Sequence, residues 1–328
     1  MKKLLERLNR RFDRFRIIAA RTHDFVFHGD EVSAMAILLA LLTRGKWETP
    51  LPGHIGKTST CRVDWTDKGV TFQCDGHKLH ILRTRDEEAC KDFQKEHEGY
   101  LYTVLDVGGK YDIKDEDVLR MDHHQADFGL TQMIGEHEIG YSSFGLAWGH
   151  LGADCIESIF SDDSDTLDPQ MIGEIHEIVR NRLVAFVDGV DTGTWPFPPD
   201  RAYSYSNLIS SLNPADATDA KATNEAFGAA VLVAYHNLMA VIRQAKERVT
   251  TQAFLREALH GSGTVLVLDK HVHWQTDLPS LDVEEKTLYV VFPGNTDEWM
   301  VQAVPVKAGS FENRKPLPEE WAGLRDSE

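Results

Sequence analysis

The chain has 328 residues, 42% apolar and 27% charged, enough for a full hydrophobic core and about two domains. Its formal net charge of −17 excludes a protein that coats nucleic acid through a basic field, but not one that holds phosphates through bound cations. No apolar run reaches the roughly 18 residues that span a bilayer, so no membrane partner is expected. The four cysteines, Cys61, Cys74, Cys90 and Cys155, form no CxxC pair. They read as free thiols of a reducing, cytoplasmic compartment.

In chain order, Met1 to Arg21 is basic, and Leu4, Leu8, Phe12 and Phe15 share one face of a predicted amphipathic helix. Arg16 to Ala20 reads as a buried strand delivering His23 to its carboxyl end. After His28 and Asp30, residues Glu31 to Leu42 read as a helix, apolar on several faces and therefore buried. Residues 46–80 hold short β-type runs split by Asp67-Lys68-Gly69 and Asp75-Gly76, which predicts a small antiparallel insert. A polar helix is expected over 86–98, and a buried strand from Tyr100 to Leu105 that ends in Asp106. Val118 to Met121 is a further strand, ending in Asp122-His123-His124. Helices are expected over 142–151 and 168–187, the second running into Asp188 and Asp191. The Pro-rich stretch 194–215 marks the domain boundary, giving domains 1–195 and 196–328. An alanine-rich long helix, or a helix pair interrupted at Gly228, follows over 216–259, then strands over 264–268, 287–292 and 299–304. The fold class expected is α/β: a mostly parallel sheet in the first domain and a smaller α+β second domain.

Four clusters stand at the ends of apolar runs: His23 to Glu31, Asp106, Asp122 to His124, and Asp188 with Asp191. They are read as one site at the edge of the sheet. Two bare carboxylates about 5 Å apart repel by roughly 3 kcal/mol at an effective dielectric near 20, so Asp30, Asp106, Asp122 and Asp188 together require neutralisation. Two divalent cations would provide it. Mixed imidazole and carboxylate ligands suit Mn²⁺ first, with Mg²⁺, Co²⁺ and Zn²⁺ compatible. Such a pair favours in-line displacement at phosphorus. Either Asp188 or Asp191 fits the last ligand position. No GxSxG elbow is present to support a serine hydrolase.

The His/Asp cluster, Asp106, Asp122-His123-His124-Gln125 and the later Asp resemble the DHH phosphoesterase superfamily. Arg83-Thr84-Arg85-Asp86, Asp106-Val107-Gly108-Gly109, Leu212-Asn213-Pro214 and Ser310-Phe311-Glu312-Asn313-Arg314 are similar to its Myg branch, DHH-like RNA exonucleases also described as metal-dependent protein hydrolases. The resemblance implies a DHH-type first domain with a substrate-binding second domain. It implies His23, His28, Asp30, Asp106, His123 and Asp188 as ligands, with Asp30 and Asp106 bridging two ions and Asp122 orienting His123 or ligating directly. His124 would meet the phosphate or the leaving oxygen. Arg314 and Lys315 would hold a phosphate oxygen. The function expected is a two-metal exonuclease on RNA or short oligonucleotides, threaded from an end. The alternatives are a small-molecule phosphohydrolase and a metal-binding interaction module without nuclease activity. A homo-oligomer is compatible with all three.

Overall fold

The computed structural model describes residues 16–47, 61–114, 118–161, 167–196, 204–294 and 298–321. The expected N-terminal amphipathic helix lies outside the described residues. The chain divides into two compact units, residues 1–243 and 244–328. The division falls inside a long helix.

The first unit is built on a seven-stranded sheet. Its strands are β1 (Ile17–Thr22), β2 (Arg62–Trp65), β3 (Gly69–Cys74), β4 (His77–Arg83), β5 (Leu101–Leu105), β6 (Tyr111–Asp112) and β7 (Val118–Met121). Their order is β2-β3-β4-β1-β5-β7-β6. The pairs β4–β1, β1–β5 and β5–β7 are parallel, while β2–β3, β3–β4 and β6–β7 are antiparallel. The sheet is therefore mixed, with a parallel centre, where a mostly parallel one was expected.

The supposed insert is part of this sheet. Its strands β2 and β3 form an antiparallel meander on the edge of β4, and β4 pairs with β1 at the centre. Gly69 permits the close approach: a Cβ there would lie 1.9 Å from the Ile81 carbonyl oxygen. Cys61 and Cys74 are joined in a disulfide across this meander, whereas free thiols were expected; Cys90 and Cys155 are free and buried.

Helix α1 (Gly29–Thr43) is buried along its whole length, as its all-round apolar sequence requires. It packs chiefly on α3 (Ser143–Ile159) and also against β1 and β4. Helix α2 (Glu87–Glu96) starts at Asp86, whose side chain accepts from Ala89 N–H at 2.7 Å. Its Phe93 packs on Ala19, Tyr102, Val104 and Val118 of the sheet. A hairpin, β8 (Thr131–Ile134) and β9 (His137–Gly140), precedes α3.

Next comes one continuous helical rod. It consists of α4 (Pro169–Val179), a π turn (Arg180–Val184) and α5 (Ala185–Asp191). The short α6 (Tyr205–Ser210) follows, and then α7 (Ala220–Leu259), an unbroken helix of 40 residues. Among the described residues, α7 alone is long and apolar enough to cross a membrane by length and composition. Its Phe227, Val231, Tyr235, Leu238 and Ile242 are buried, as in a core helix.

The second unit contains the end of α7, α8 (Leu278–Leu281) and a three-stranded sheet. The strands are β10 (Val265–Val267), β11 (Tyr289–Pro293) and β12 (Trp299–Ala303), in that order. Its core joins Leu255, Leu266, Leu268, Trp274, Leu278, Val290, Phe292 and Val304.

Candidate metal centre

Strands β1, β5 and β7 run parallel, so their carboxyl ends meet at one edge of the sheet. His23 follows β1, Asp106 follows β5, and Asp122-His123-His124 follow β7. The first turn of α1 contributes Asp30 and Glu31, and the last residue of α5 is Asp191. These elements enclose a cavity of about 430 Å³, whose lining includes His23, His28, Asp30, Asp106, His123, His124 and Asp191.

Local chemistry holds each group. His28 is the N-cap of α1, and its backbone N–H donates to Glu31 Oε1 at 2.8 Å. Just before it, Asn213 brackets Phe27: its Oδ1 accepts from Phe27 N–H at 2.9 Å and its Nδ2 donates to Phe27 O at 2.8 Å. Asp106 adopts a left-handed backbone, φ 54°, with Gly108 and Gly109 also at positive φ. Asp122 accepts from Gly109 N–H through Oδ2, at 2.5 Å, and from His124 through Oδ1. The His124 Nδ1–Asp122 Oδ1 distance is 2.7 Å. Asp122 therefore fixes both the glycine turn and the His124 ring.

The centre is dense with charge. His23 Nε2 lies 3.2 Å from Glu31 Oε1 and 3.3 Å from Asp106 Oδ2. His123 Nε2 lies 3.1 Å from Asp191 Oδ2, and its Nδ1 is 3.6 Å from Asp106 Oδ1. Burial works against the charged form of His23, but the bonds to Asp106 and Glu31 outweigh it and push the imidazole up to about 10. Burial and repulsion from Asp106, Asp191 and Glu31 hold Asp30 well above the usual carboxylate range. Glu31 is held below that range despite burial, because it bonds His23.

Both oxygens of Asp30, Glu31 Oε2, Asp106 Oδ1 and His123 Nδ1 are buried with no hydrogen-bond partner. Buried carboxylate oxygens without partners cost several kcal/mol unless something positive meets them, on the order of the desolvation penalty of a charged group. Three groups of side chains bring donor atoms close enough to share an ion: His23, His28, Glu31 and Asp106; Asp106, Asp122, His123 and His124; Asp30, His123 and Asp191. The donor set, acids and imidazoles without thiolates, fits hard to borderline divalent cations.

Asp188 is placed apart from these groups. Its Oδ1 accepts from Ser142 Oγ at 2.6 Å, Ser142 N–H at 3.3 Å and Gly145 N–H at 2.9 Å; its Oδ2 accepts from Gln132 Nε2 at 2.6 Å. It anchors the start of α3, and burial pushes its carboxyl up to about 7 against those bonds. Asp191, the alternative ligand, faces the cavity instead. Glu31 belongs to the centre although only Asp30 was read as its ligand; its position at N3 of a helix opening on His28 was the available signal.

Arg314 is committed within the second unit. Its Nη1 donates to Asp282 Oδ2 at 2.5 Å and to Thr287 O at 3.1 Å, and its Nη2 approaches Pro279 O and Asp282 O, each at 3.4 Å. Its side chain is 4% exposed, so a phosphate would reach it only by breaking this set. Lys315 is exposed.

A cation held in this centre would compete with a proton for His23. In the metal-free protein its raised value stabilises the fold below its ordinary 6.5, a gain lost as the pH rises through about 10. Coordination of a cation by His23 would therefore release a proton near neutrality. Titration with Mn²⁺ at pH 6, 7 and 8, followed by calorimetry, is expected to show affinity rising by up to about tenfold per pH unit for each proton released. A pH-independent affinity would remove His23 from the coordinating set.

An α/β fold whose strand ends gather acids and imidazoles defines a protein with a candidate metal centre at the edge of an open sheet. The chain belongs to the MYG1_exonuc family, described as "Uncharacterised protein family (UPF0160)", whose model matches residues 19–328. It is 30% identical over 267 residues to the MYG1 protein of Dictyostelium discoideum, covering 76% of each chain. It is 28% identical over 270 residues to the MYG1 exonuclease of Homo sapiens, covering 75% of this chain and 67% of that one. The MYG1 exonuclease of Bos taurus is 28% identical over 295 residues, 78% of this chain and 72% of the relative. No solved structure matches the chain. Relatives named exonuclease support a nuclease-like, hydrolytic role for this chain.

Proposed function

We propose that this protein is a metal-dependent phosphodiesterase of DHH type, an exonuclease that shortens RNA or short oligonucleotides using two divalent cations, Mn²⁺ foremost. The observation that carries the reading is the fully buried Asp30, with neither carboxylate oxygen partnered, facing a cavity it shares with Asp106, Asp191 and four histidines. Bound there, two cations would supply positive charge and an acidified water for displacement at phosphorus.

The residues divide the remaining work. His23, Glu31, Asp106, Asp30, His123 and Asp191 would hold the ions, with His28 at the cavity rim completing the set. Asp122, already saturated by Gly109 and His124, acts as the positioning group. A carboxylate accepts only, so His124 Nδ1 carries the proton toward Asp122 and Nε2 is left as the basic nitrogen. His124 is 59% exposed at its side chain, so Nε2, once it has taken up a proton, can donate to a phosphate oxygen or to the leaving oxygen. A cavity of this volume admits about one nucleotide at a time, which favours attack from a strand end.

The test is release of mononucleotides from a short 5′-labelled RNA with Mn²⁺, beside Asp122→Ala and parallel assays on pyrophosphate and dinucleotides. Stepwise shortening that Asp122→Ala loses is the expected result. Turnover of a small substrate without shortening would replace the exonuclease with a small-molecule phosphohydrolase. Bound Mn²⁺ with no turnover of any substrate would leave a metal-binding interaction module.

A further inference from the structure

The candidate centre is acidic, and its substrate is an anion. Among the described residues lining the cavity, Arg85 is the one permanent cation. We infer that Arg85 is the phosphate-holding residue of this site, gripping a non-bridging oxygen of the nucleotide being removed; the inference rests on the phosphodiesterase reading above.

Three arginines compete for the role, and the structure separates them. Arg314 is spent on Asp282 and on backbone carbonyls of the second unit. Arg83 is 4% exposed, donates to Asn224 Oδ1 at 3.0 Å and to Phe25 O at 2.7 Å, and lies 4.4 Å from the Phe227 ring centre. It ties the His23–His28 loop to α7 and has no access to a ligand. Arg85, two residues on, keeps a side chain 57% exposed. Its Nη1 donates to Asp24 Oδ1 at 2.5 Å and approaches Asp24 O at 3.3 Å. An exposed pair of this kind is worth about 0–1 kcal/mol, so a phosphate can share or replace Asp24 at little cost.

The backbone holds Arg85 in place. Thr84 N–H donates to Thr22 O at 3.0 Å, extending the β4–β1 ladder to the end where His23 emerges. Asp86 N–H donates to Thr84 Oγ1 at 3.1 Å, and Asp86 caps α2. Arg85 therefore stands on a two-sided clamp between strand and helix, at the same sheet edge as the ligands. A planar guanidinium there suits two oxygens of one phosphate.

The experiment compares Arg85→Gln with wild type on a short 5′-labelled RNA with Mn²⁺ across a range of salt concentrations. KM is expected to rise about 10- to 100-fold, kcat to change by less than about threefold, and the salt slope of log kcat/KM to shrink by about one unit. Mn²⁺ affinity and thermal midpoint are expected to stay at wild-type values, which reports an intact fold and an intact metal centre. Arg85→Ala is expected to regain activity with added guanidinium ion, a rescue that a merely structural residue would not show. Wild-type turnover with an unchanged KM and salt slope in Arg85→Gln overturns the assignment of Arg85 alone. Wild-type protein that binds Mn²⁺ and hydrolyses no phosphodiester overturns the reading of the site, and Arg85 with it.

Discussion

Asp30→Asn is expected to raise the thermal midpoint of the metal-free protein while abolishing the stabilisation that Mn²⁺ gives wild type. Asp30 is fully buried, and neither of its carboxylate oxygens has a partner. Burial first, then repulsion from Asp106, Asp191 and Glu31, pushes its proton affinity up. The sign follows from linkage: a carboxyl raised in the folded state stabilises the fold below its ordinary value and loses that gain as pH rises through the raised one. Without a cation, wild type therefore weakens as the solution becomes more alkaline, and the amide, which cannot ionise, escapes that loss. Repulsion of about 3 kcal/mol for one pair of carboxylates near 5 Å, at 2–4 °C per kcal/mol for a chain of this size, predicts a rise of about 6–12 °C at pH 8 and less at pH 5. Mn²⁺ affinity is expected to fall at least about 100-fold, beyond what loss of an outer partner produces. Scanning calorimetry with and without Mn²⁺ at both pH values decides it. A lower midpoint in the metal-free variant would mean that Asp30 is a structural residue.

The second large effect separates two carboxylates three residues apart. Asp188→Asn breaks a buried hub in which one side chain accepts from Ser142, Gly145 and Gln132. Hydrogen bonds to a charged, buried acceptor are worth about 1.5–3 kcal/mol each, so a loss of 3 kcal/mol or more is expected, about 6–12 °C in midpoint. The protein that remains folded should still gain stability from Mn²⁺. Gly145→Ala should destabilise similarly, because a Cβ there would lie 1.9 Å from Asp188 Oδ2. Asp191→Asn should do the opposite: a midpoint near wild type and no response to Mn²⁺. The reverse pattern would reinstate Asp188 as the ligand that the sequence resemblance implied.

The physical reason for that ambiguity lies in the π turn at Arg180–Val184. A helix advances about 100° per residue, and one π turn inserts an extra residue and rotates everything after it. Regular periodicity then no longer tells which acid of Asp188 and Asp191 faces the cavity. The strand ends were legible because buried parallel strands are short apolar runs, and the residue after each run, His23, Asp106 or Asp122, stands at the common edge. The helical character of α7 was legible from its alanine-rich composition, but not its continuity, since Gly228 does not interrupt it. The partner of β4 was not legible, since its pairing with β1 joins segments about sixty residues apart through register alone. Glu31 was obscured by its neighbour, because adjacent acids in a first helical turn read equally well as dipole compensation. The two arginines that burial consumes, Arg83 and Arg314, cannot be told from Arg85 by residue type.

The left-handed backbone at Asp106 sets how freely this centre could be rebuilt for another metal. A positive φ is tolerated by glycine, asparagine and aspartate and resisted by bulkier or branched side chains. Exchange of Asp106 for cysteine or a β-branched residue would strain the main chain before any coordination change was felt. His28 is extended, at φ −120°, and Asp191 is helical, so both accept other donors without that strain. An engineer seeking a softer, zinc-selective ligand set would therefore vary residues 28 and 191 and leave 106 as the fixed point of the design.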